Sequence, residues 1–231
     1  MHRLRQFVCC TALAFLTWGG AQAGVMNPIP GDPITIETGK LSGTLLVSGV
    51  KAYLGVPFAA PPVRELRWHE PMPVKSWKGI YNADTKITHC YIPLRATTLN
   101  HYFGEIKSSE DCLNANIWVP PGAKAGDKLP VVVWIHGGGF QEGSINFDVY
   151  GGEPLAKKGV IFMGISYRVN IFGNLAHPEL TAASPNHSSG NYGLLDQIAA
   201  LRWVRANIAA FGGDPSNVTI FGESAGGRSC N

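Results

Sequence analysis

Short apolar runs alternate with turns rich in glycine and proline along most of this chain. Ile34-Thr35-Ile36-Glu37-Thr38 and Thr44 to Val50 carry β-branched residues in alternation, and Lys40 to Gly43 reads as a hairpin turn joining them. Tyr53 to Phe58 predicts another short strand, whereas Pro57 to Pro73 is irregular and proline-rich. Asn116 to Val119 and Val131 to Ile135 read as strands split by the turn-like Pro120-Pro121-Gly122, and Val160 to Ser166 reads as a further one. Leu194, Ile198, Leu201, Val204 and Ile208 recur at spacings of three and four, which predicts one face of an amphipathic helix of about five turns. Gly212-Gly213 ends it, and Val218 to Phe221 follows as a short buried strand. Strands thus alternate with helical stretches in the second half, the pattern of an α/β protein with a mostly parallel sheet. There are no repeats and no low-complexity linker, and 231 residues make one domain with a sizeable core.

Composition narrows the class. The apolar share of 45% and charged share of 15% are those of a soluble globular protein. The formal charge is +3, with no cluster of Lys and Arg beyond the N-terminus, which argues against a nucleic-acid partner. His2, Arg3 and Arg5, the apolar run Phe7 to Trp18, and small residues at Ala21-Gln22-Ala23 have the layout of a secretory signal peptide. The expectation is a cut after Ala23, a secreted or periplasmic protein, and a domain over residues 24–231. The apolar run falls short of the roughly 20 residues that span a bilayer, so no stable membrane anchor is expected. Cleavage removes Arg3 and Arg5 and takes the formal charge from +3 to +1. Cys9 and Cys10 leave with the leader. In an oxidising compartment Cys90 and Cys112 could close a loop of about 20 residues, contributing about 3 kcal/mol, with Cys230 left over. Two sequons, at Asn186 and Asn217, matter only in a glycosylating host; Asn217 opens the last strand and is expected to be structural.

Two glycine-flanked motifs carry the candidate chemistry. Gly222-Glu223-Ser224-Ala225-Gly226 follows the strand Val218 to Phe221, and a G-x-S-x-G between a strand and a tight turn is a nucleophile elbow. Gly222 and Gly226 leave room for strand and helix to approach closely. Outside such a context the pattern is an ordinary loop. The second motif, His136-Gly137-Gly138-Gly139-Phe140, follows the all-apolar run Val131 to Ile135. Glycines adopt conformations that other residues resist, so successive N–H groups can converge on one point. Such donors stabilise the oxyanion of acyl transfer, at about 3 kcal/mol each. The same glycines also fit a flexible turn or a phosphate loop, but a phosphate loop needs a Lys-Ser/Thr or a G-x-G-x-x-G, and neither follows.

From about Pro33 to Gly227 the chain resembles the type-B carboxylesterase/lipase family, the group that includes cholinesterases, within the α/β-hydrolase fold. Phe211 to Gly227 and Asn191 to Ala210 carry the resemblance most strongly. Trp134 to Phe140 and Ser109-Glu110-Asp111-Cys112-Leu113 add to it. The resemblance implies that Ser224 is the acyl-forming nucleophile and that Gly138, Gly139 and Ala225 donate the oxyanion-hole N–H groups. It implies that Glu223 helps organise the active site from beneath and that Cys90 and Cys112 form a disulfide. Arg67 with Glu110, and Arg168 with Asp196, resemble structural ion pairs. Two departures stand out. Asn114 and Ala115 replace an aromatic or threonine and an aliphatic residue, which is expected to weaken local packing. Arg228 to Asn231 replace small and apolar helix residues.

The implied function is carboxylic-ester hydrolysis of a small-molecule substrate through an acyl-enzyme, with no metal or cofactor. Only seven residues follow Ser224, and no histidine is among them. The family's catalytic acid and histidine lie far beyond the serine. The chain is therefore expected to be the N-terminal portion of such a domain, with little or no activity alone, and with the strand ending at Phe221 as an open sheet edge. A non-catalytic cholinesterase-like binding protein and an inactive truncated product are the competing expectations. His136 is expected to be structural, and His69, His89, His101, His177 and His187 to lie on the surface or in loops.

Overall fold

The computed structural model describes residues 28–92 and 107–231; the leader with Cys9 and Cys10, and also His101, fall outside them. β1 (Ile34–Ile36) turns back antiparallel onto β2 (Gly39–Ser42). β3 (Thr44–Leu45) and β4 (Lys51–Pro57) form the next hairpin. β5 (Ile80–Asn82) lies parallel to β2 and completes a three-stranded sheet, while β6 (His89–Cys90) and β7 (Ser108–Ser109) form a two-stranded one. The main sheet adds β8 (Asn114–Val119), β9 (Leu129–Ile135), β10 (Ile161–Ile165) and β11 (Gly213–Gly222), in the order β11-β9-β10-β8-β4-β3. The helices are α1 (Glu153–Ala156), α2 (Asn170–Asn174), α3 (Pro178–Ala183), α4 (Tyr192–Asn207) and α5 (Ala225–Ser229).

The sheet is mixed. β9 pairs parallel with β10 and with β11, while β8, β4 and β3 pair antiparallel. Parallel neighbours need a crossover, and the segments carrying α1 and α4 supply them. Within the main sheet, parallel pairing is therefore confined to β9, β10 and β11. β11 lies at the sheet's edge among the described residues, as expected.

Side-chain alternation splits β9 between two faces. Val131, Val133 and Ile135 enter the main core with Ile117, Met163, Trp203, Val204 and Ile208. On the opposite face Trp134 joins Trp118, Phe162 and Phe221. Asn114 and Ala115, the family departures, are both fully buried on β8, and the Asn114 carboxamide donates to the Cys112 carbonyl at 2.9 Å.

Two expectations are corrected. The first hairpin turns at Glu37-Thr38, not at Lys40 to Gly43, and only Thr44-Leu45 of the second run is strand. Leu41 points into the core, and Trp77 packs so closely on Gly39 that a Cβ there would lie 2.6 Å from its indole nitrogen. The long helix exists as α4, but only the C-terminal part of its predicted aliphatic face is buried: Val204 and Ile208 enter the core. Leu194 and Ile198 are 40% and 43% exposed, while Gly193, Asp196, Gln197, Ala200, Trp203 and Asn207 face inward. The reason is polar. Asp196 accepts from the Arg168 backbone N–H at 2.9 Å and from its guanidinium at 2.8 Å, and Asn207 accepts from the Glu37 N–H at 2.8 Å. Gly212, with φ 91°, closes the following 3-10 turn, as its place in the sequence predicts. No helix among the described residues is long and apolar enough to cross a membrane.

Candidate active site

β11 and β9 are parallel and in register, with Phe221 opposite Trp134 and Gly222 opposite Ile135. The chain segments that leave them therefore start at the same carboxyl edge of the sheet, where α/β folds place their ligands. One segment is Glu223-Ser224 and the other is His136 to Phe140.

Ser224 has φ 53° and ψ −115°, a conformation that costs a non-glycine residue about 1–3 kcal/mol. It is exposed, and α5 starts at the next residue. The Gly226 N–H donates to the Glu223 carbonyl at 2.9 Å and the Arg228 N–H to the Ser224 carbonyl at 3.1 Å, closing the turn. A Cβ on Gly222 would sit 2.6 Å from the Ile135 carbonyl oxygen, and one on Gly226 would overlap that same oxygen. The two glycines therefore let α5 rest directly on the end of β9. Ala225 is buried at the first helical position, where a backbone N–H has no partner within its own helix.

The glycine loop also passes through positive φ, with Phe140 its one non-glycine residue there. Gly138, Gly139 and Phe140 have φ of 110°, 62° and 60° in succession. A Cβ on Gly137 would lie 2.7 Å from the Glu223 carbonyl oxygen, so the loop begins against the residue preceding Ser224. The Gly138 carbonyl accepts from the Gln141 and Glu142 N–H groups at 3.0 and 3.2 Å. A Cβ on Gly139 would meet nothing within 4 Å. The Phe140 carbonyl accepts from the Asn170 N–H at 2.7 Å and from Asn174 Nδ2 at 3.0 Å.

His136 is the buried first residue of the second segment. Its ring is fully buried, stacks on Tyr167 with centroids 4.2 Å apart, and places Nδ1 2.9 Å from the Gly137 carbonyl. Burial pushes its pKa down to about 4. Burial, and then the neighbouring Glu223 charge, raises the pKa values of Tyr150 and Tyr167. Glu223, itself exposed, thus lies between the serine, Gly137 and two tyrosines. Both expected ion pairs are present: Arg67 Nη2 to Glu110 at 2.6 Å, and the buried Arg168–Asp196 pair. Cys90 and Cys112 are disulfide-bonded, and Cys230 is a half-buried free thiol. His69, His177 and His187 are exposed as expected. His89 corrects the expectation: it is 5% exposed, lies on β6 and contacts Ser108 Oγ at 2.8 Å. The sequence reading missed Tyr167, Asn170 and Asn174 as neighbours of the site. The segment Ser166 to Asn174 has no glycine pattern or charge spacing that points to it. Among the described residues no group of His, Cys, Asp and Glu could hold a metal ion.

A strained serine between a parallel strand and a helix, beside a glycine loop on the neighbouring strand, has the backbone geometry of a strand–turn–helix elbow. The chain belongs to the carboxylesterase family, whose profile matches residues 31–231. It is 44% identical over 217 residues to a fumonisin B1 esterase of Sphingopyxis macrogoltabida, covering 94% of this chain and 39% of that protein. It is 40% identical over 244 residues to cocaine esterase of Homo sapiens, covering 99% and 41%. Among solved structures, a thermophilic PNB esterase aligns with a TM-score of 0.76 at 42% identity, over 85% of this chain and 39% of that one. The fold is accordingly that of the α/β-hydrolases. The chain spans about two fifths of the length of these relatives.

Proposed function

We propose that the protein is a serine carboxylic-ester hydrolase acting through an acyl-enzyme on Ser224. The observation that carries this is the Ser224 backbone, held at φ 53° on the turn between β11 and α5 beside the glycine loop. In this reading Ser224 Oγ attacks the ester carbonyl carbon while a histidine takes its proton. The N–H groups of Gly138, Gly139 and Ala225 receive the charge that develops on the carbonyl oxygen. The carbon–oxygen bond to the alcohol breaks and the histidine returns the proton to the leaving alcohol. Water then attacks the acyl-serine, releasing the acid and restoring Ser224. Neither step requires a cofactor.

His136, His89 and His177 do not serve as the base. His136 is committed to Tyr167 and Gly137, His89 to Ser108, and His177 accepts from the Glu179 N–H. In this reading the acid and histidine come from the remainder of a family-length domain, of which residues 24–231 are the N-terminal portion. A leader over residues 1–23 would direct that domain to a secreted or periplasmic location.

A fluorophosphonate probe with mass mapping of the adduct tests the nucleophile. Labelling at Ser224 is expected, together with loss of p-nitrophenyl ester turnover by about 10⁴-fold or more in Ser224→Ala. Undiminished turnover in that variant would overturn the proposal. Residues 24–231 by themselves are expected to turn over esters poorly, since acid–base help is worth about 10²- to 10⁴-fold.

A further inference from the structure

We propose that Asn170 and Asn174 of α2 are positioning residues for the oxyanion loop, holding the Phe140 carbonyl and so fixing the peptide planes of Gly138 and Gly139. This inference rests on the reading of the site as an ester hydrolase.

Three successive residues of the loop have positive φ, and a Cβ on Gly139 would meet nothing within 4 Å, so no packing on that side holds it. Positive φ is open to the two glycines without cost, so their own torsions do not fix the peptide planes, whereas Phe140 at φ 60° persists only where its surroundings over-determine it. Upstream, Gly137 is confined by Glu223. Downstream, Phe140 is the anchor: its ring packs against the main core and its carbonyl accepts two hydrogen bonds from α2. Asn170 supplies its backbone N–H and Asn174 its carboxamide.

α2 is a firm base for this grip. Asn170 has φ 49°, and its Oδ1 accepts from the Phe172 N–H at 3.1 Å. Its Nδ2 donates to the Tyr91 carbonyl, next to the Cys90–Cys112 disulfide. Asn174 Nδ2 also reaches the Asn170 carbonyl at 3.1 Å. A Cβ on Gly173 would lie 2.6 Å from the Arg168 carbonyl carbon, and Arg168 is itself fixed by Asp196. Trp68 Nε1 donates to the Ile171 carbonyl at 3.0 Å. Oxyanion donors lower a barrier only when they are aimed before charge develops, and small misplacements are expensive. A carboxamide that pins the next carbonyl along the loop is a means of aiming them.

Asn174→Leu and Asn174→Asp remove the donor, and Asn174→Gln keeps it. Hydrogen exchange over residues 137–142 and steady-state ester kinetics are measured in the intact enzyme. Exchange is expected to quicken about tenfold in the Leu and Asp variants, with β9 unchanged. Their kcat is expected to fall about tenfold with KM within about twofold, and Asn174→Gln to recover most of both. Wild-type exchange and kcat in the Leu and Asp variants would overturn the inference. So would equally faster exchange throughout β9, or a Gln variant as impaired as Leu. Full turnover in Ser224→Ala would instead overturn the ester-hydrolase reading and leave the exchange result standing.

Discussion

The Tyr167 hydroxyl donates a 2.7 Å hydrogen bond to the His136 carbonyl while the two rings stack at an interplanar angle of 13°. The pair joins β10's exit to β9's exit, directly under the elbow. Tyr167→Phe keeps the stack and removes the donor from a buried carbonyl. A loss of about 1–2 kcal/mol in urea unfolding is expected. An unchanged midpoint would show that the bond is not needed.

His136 makes stability depend on pH in a defined direction. Its folded pKa, about 4, lies below the ordinary 6.5. A group with a depressed folded pKa binds protons more readily when unfolded. Its contribution is whole above pH 6.5 and shrinks as pH falls toward 4, by about 3 kcal/mol in all. His89, lowered by its own burial, acts in the same sense. Denaturant melts at pH 7.5 and pH 4.5 should show a steeper acid loss in wild type than in His136→Phe. Equal losses would refute the assignment.

Gly226 and Gly139 should respond differently to alanine. At Gly226 the new carbon meets the backbone oxygens of Ile135 and His136, which cannot yield cheaply. Gly226→Ala is expected to cost about 3 kcal/mol, visible as a drop in melting temperature. At Gly139 nothing is in the way and only the φ of 62° opposes a side chain. Gly139→Ala should cost about 1 kcal/mol. Similar melting temperatures for the two variants would contradict the geometry.

Ser224 holds strain that glycine would relieve. Ser224→Gly is expected to raise stability by up to about 1 kcal/mol while abolishing fluorophosphonate labelling. Calorimetry of the two proteins checks this, and a less stable glycine variant would remove strain from the account of the elbow.

Much of the site was legible because its signals are local. A serine flanked two residues away by glycines, after an apolar run, specifies strand, strained turn and close-packed helix within a dozen residues. Three glycines after Val131 to Ile135 announce positive φ in the same local way, and Gly138 and Gly139 bear this out. α4 was legible as a helix but only in part in its orientation, since Val204 and Ile208 are buried as the periodicity predicts. Periodicity favours Leu194 and Ile198, yet the helix turns Asp196 and Asn207 inward. Their partners Arg168 and Glu37 lie 28 and 170 residues away.

Sequence alone determined the parallel strands of the second half, the long helix, the elbow at Ser224 and the glycine loop, because each depends on contacts and torsions between near neighbours. Only the tertiary structure decided that Leu194 and Ile198 of α4 stay exposed, that His89 and His136 are interior, and that Tyr167, Asn170 and Asn174 brace the two loops. Those outcomes turn on satisfying buried polar groups across long separations. A hydrogen bond from Asn174 to Phe140 spans 34 positions, and no local pattern of apolar and polar residues encodes it.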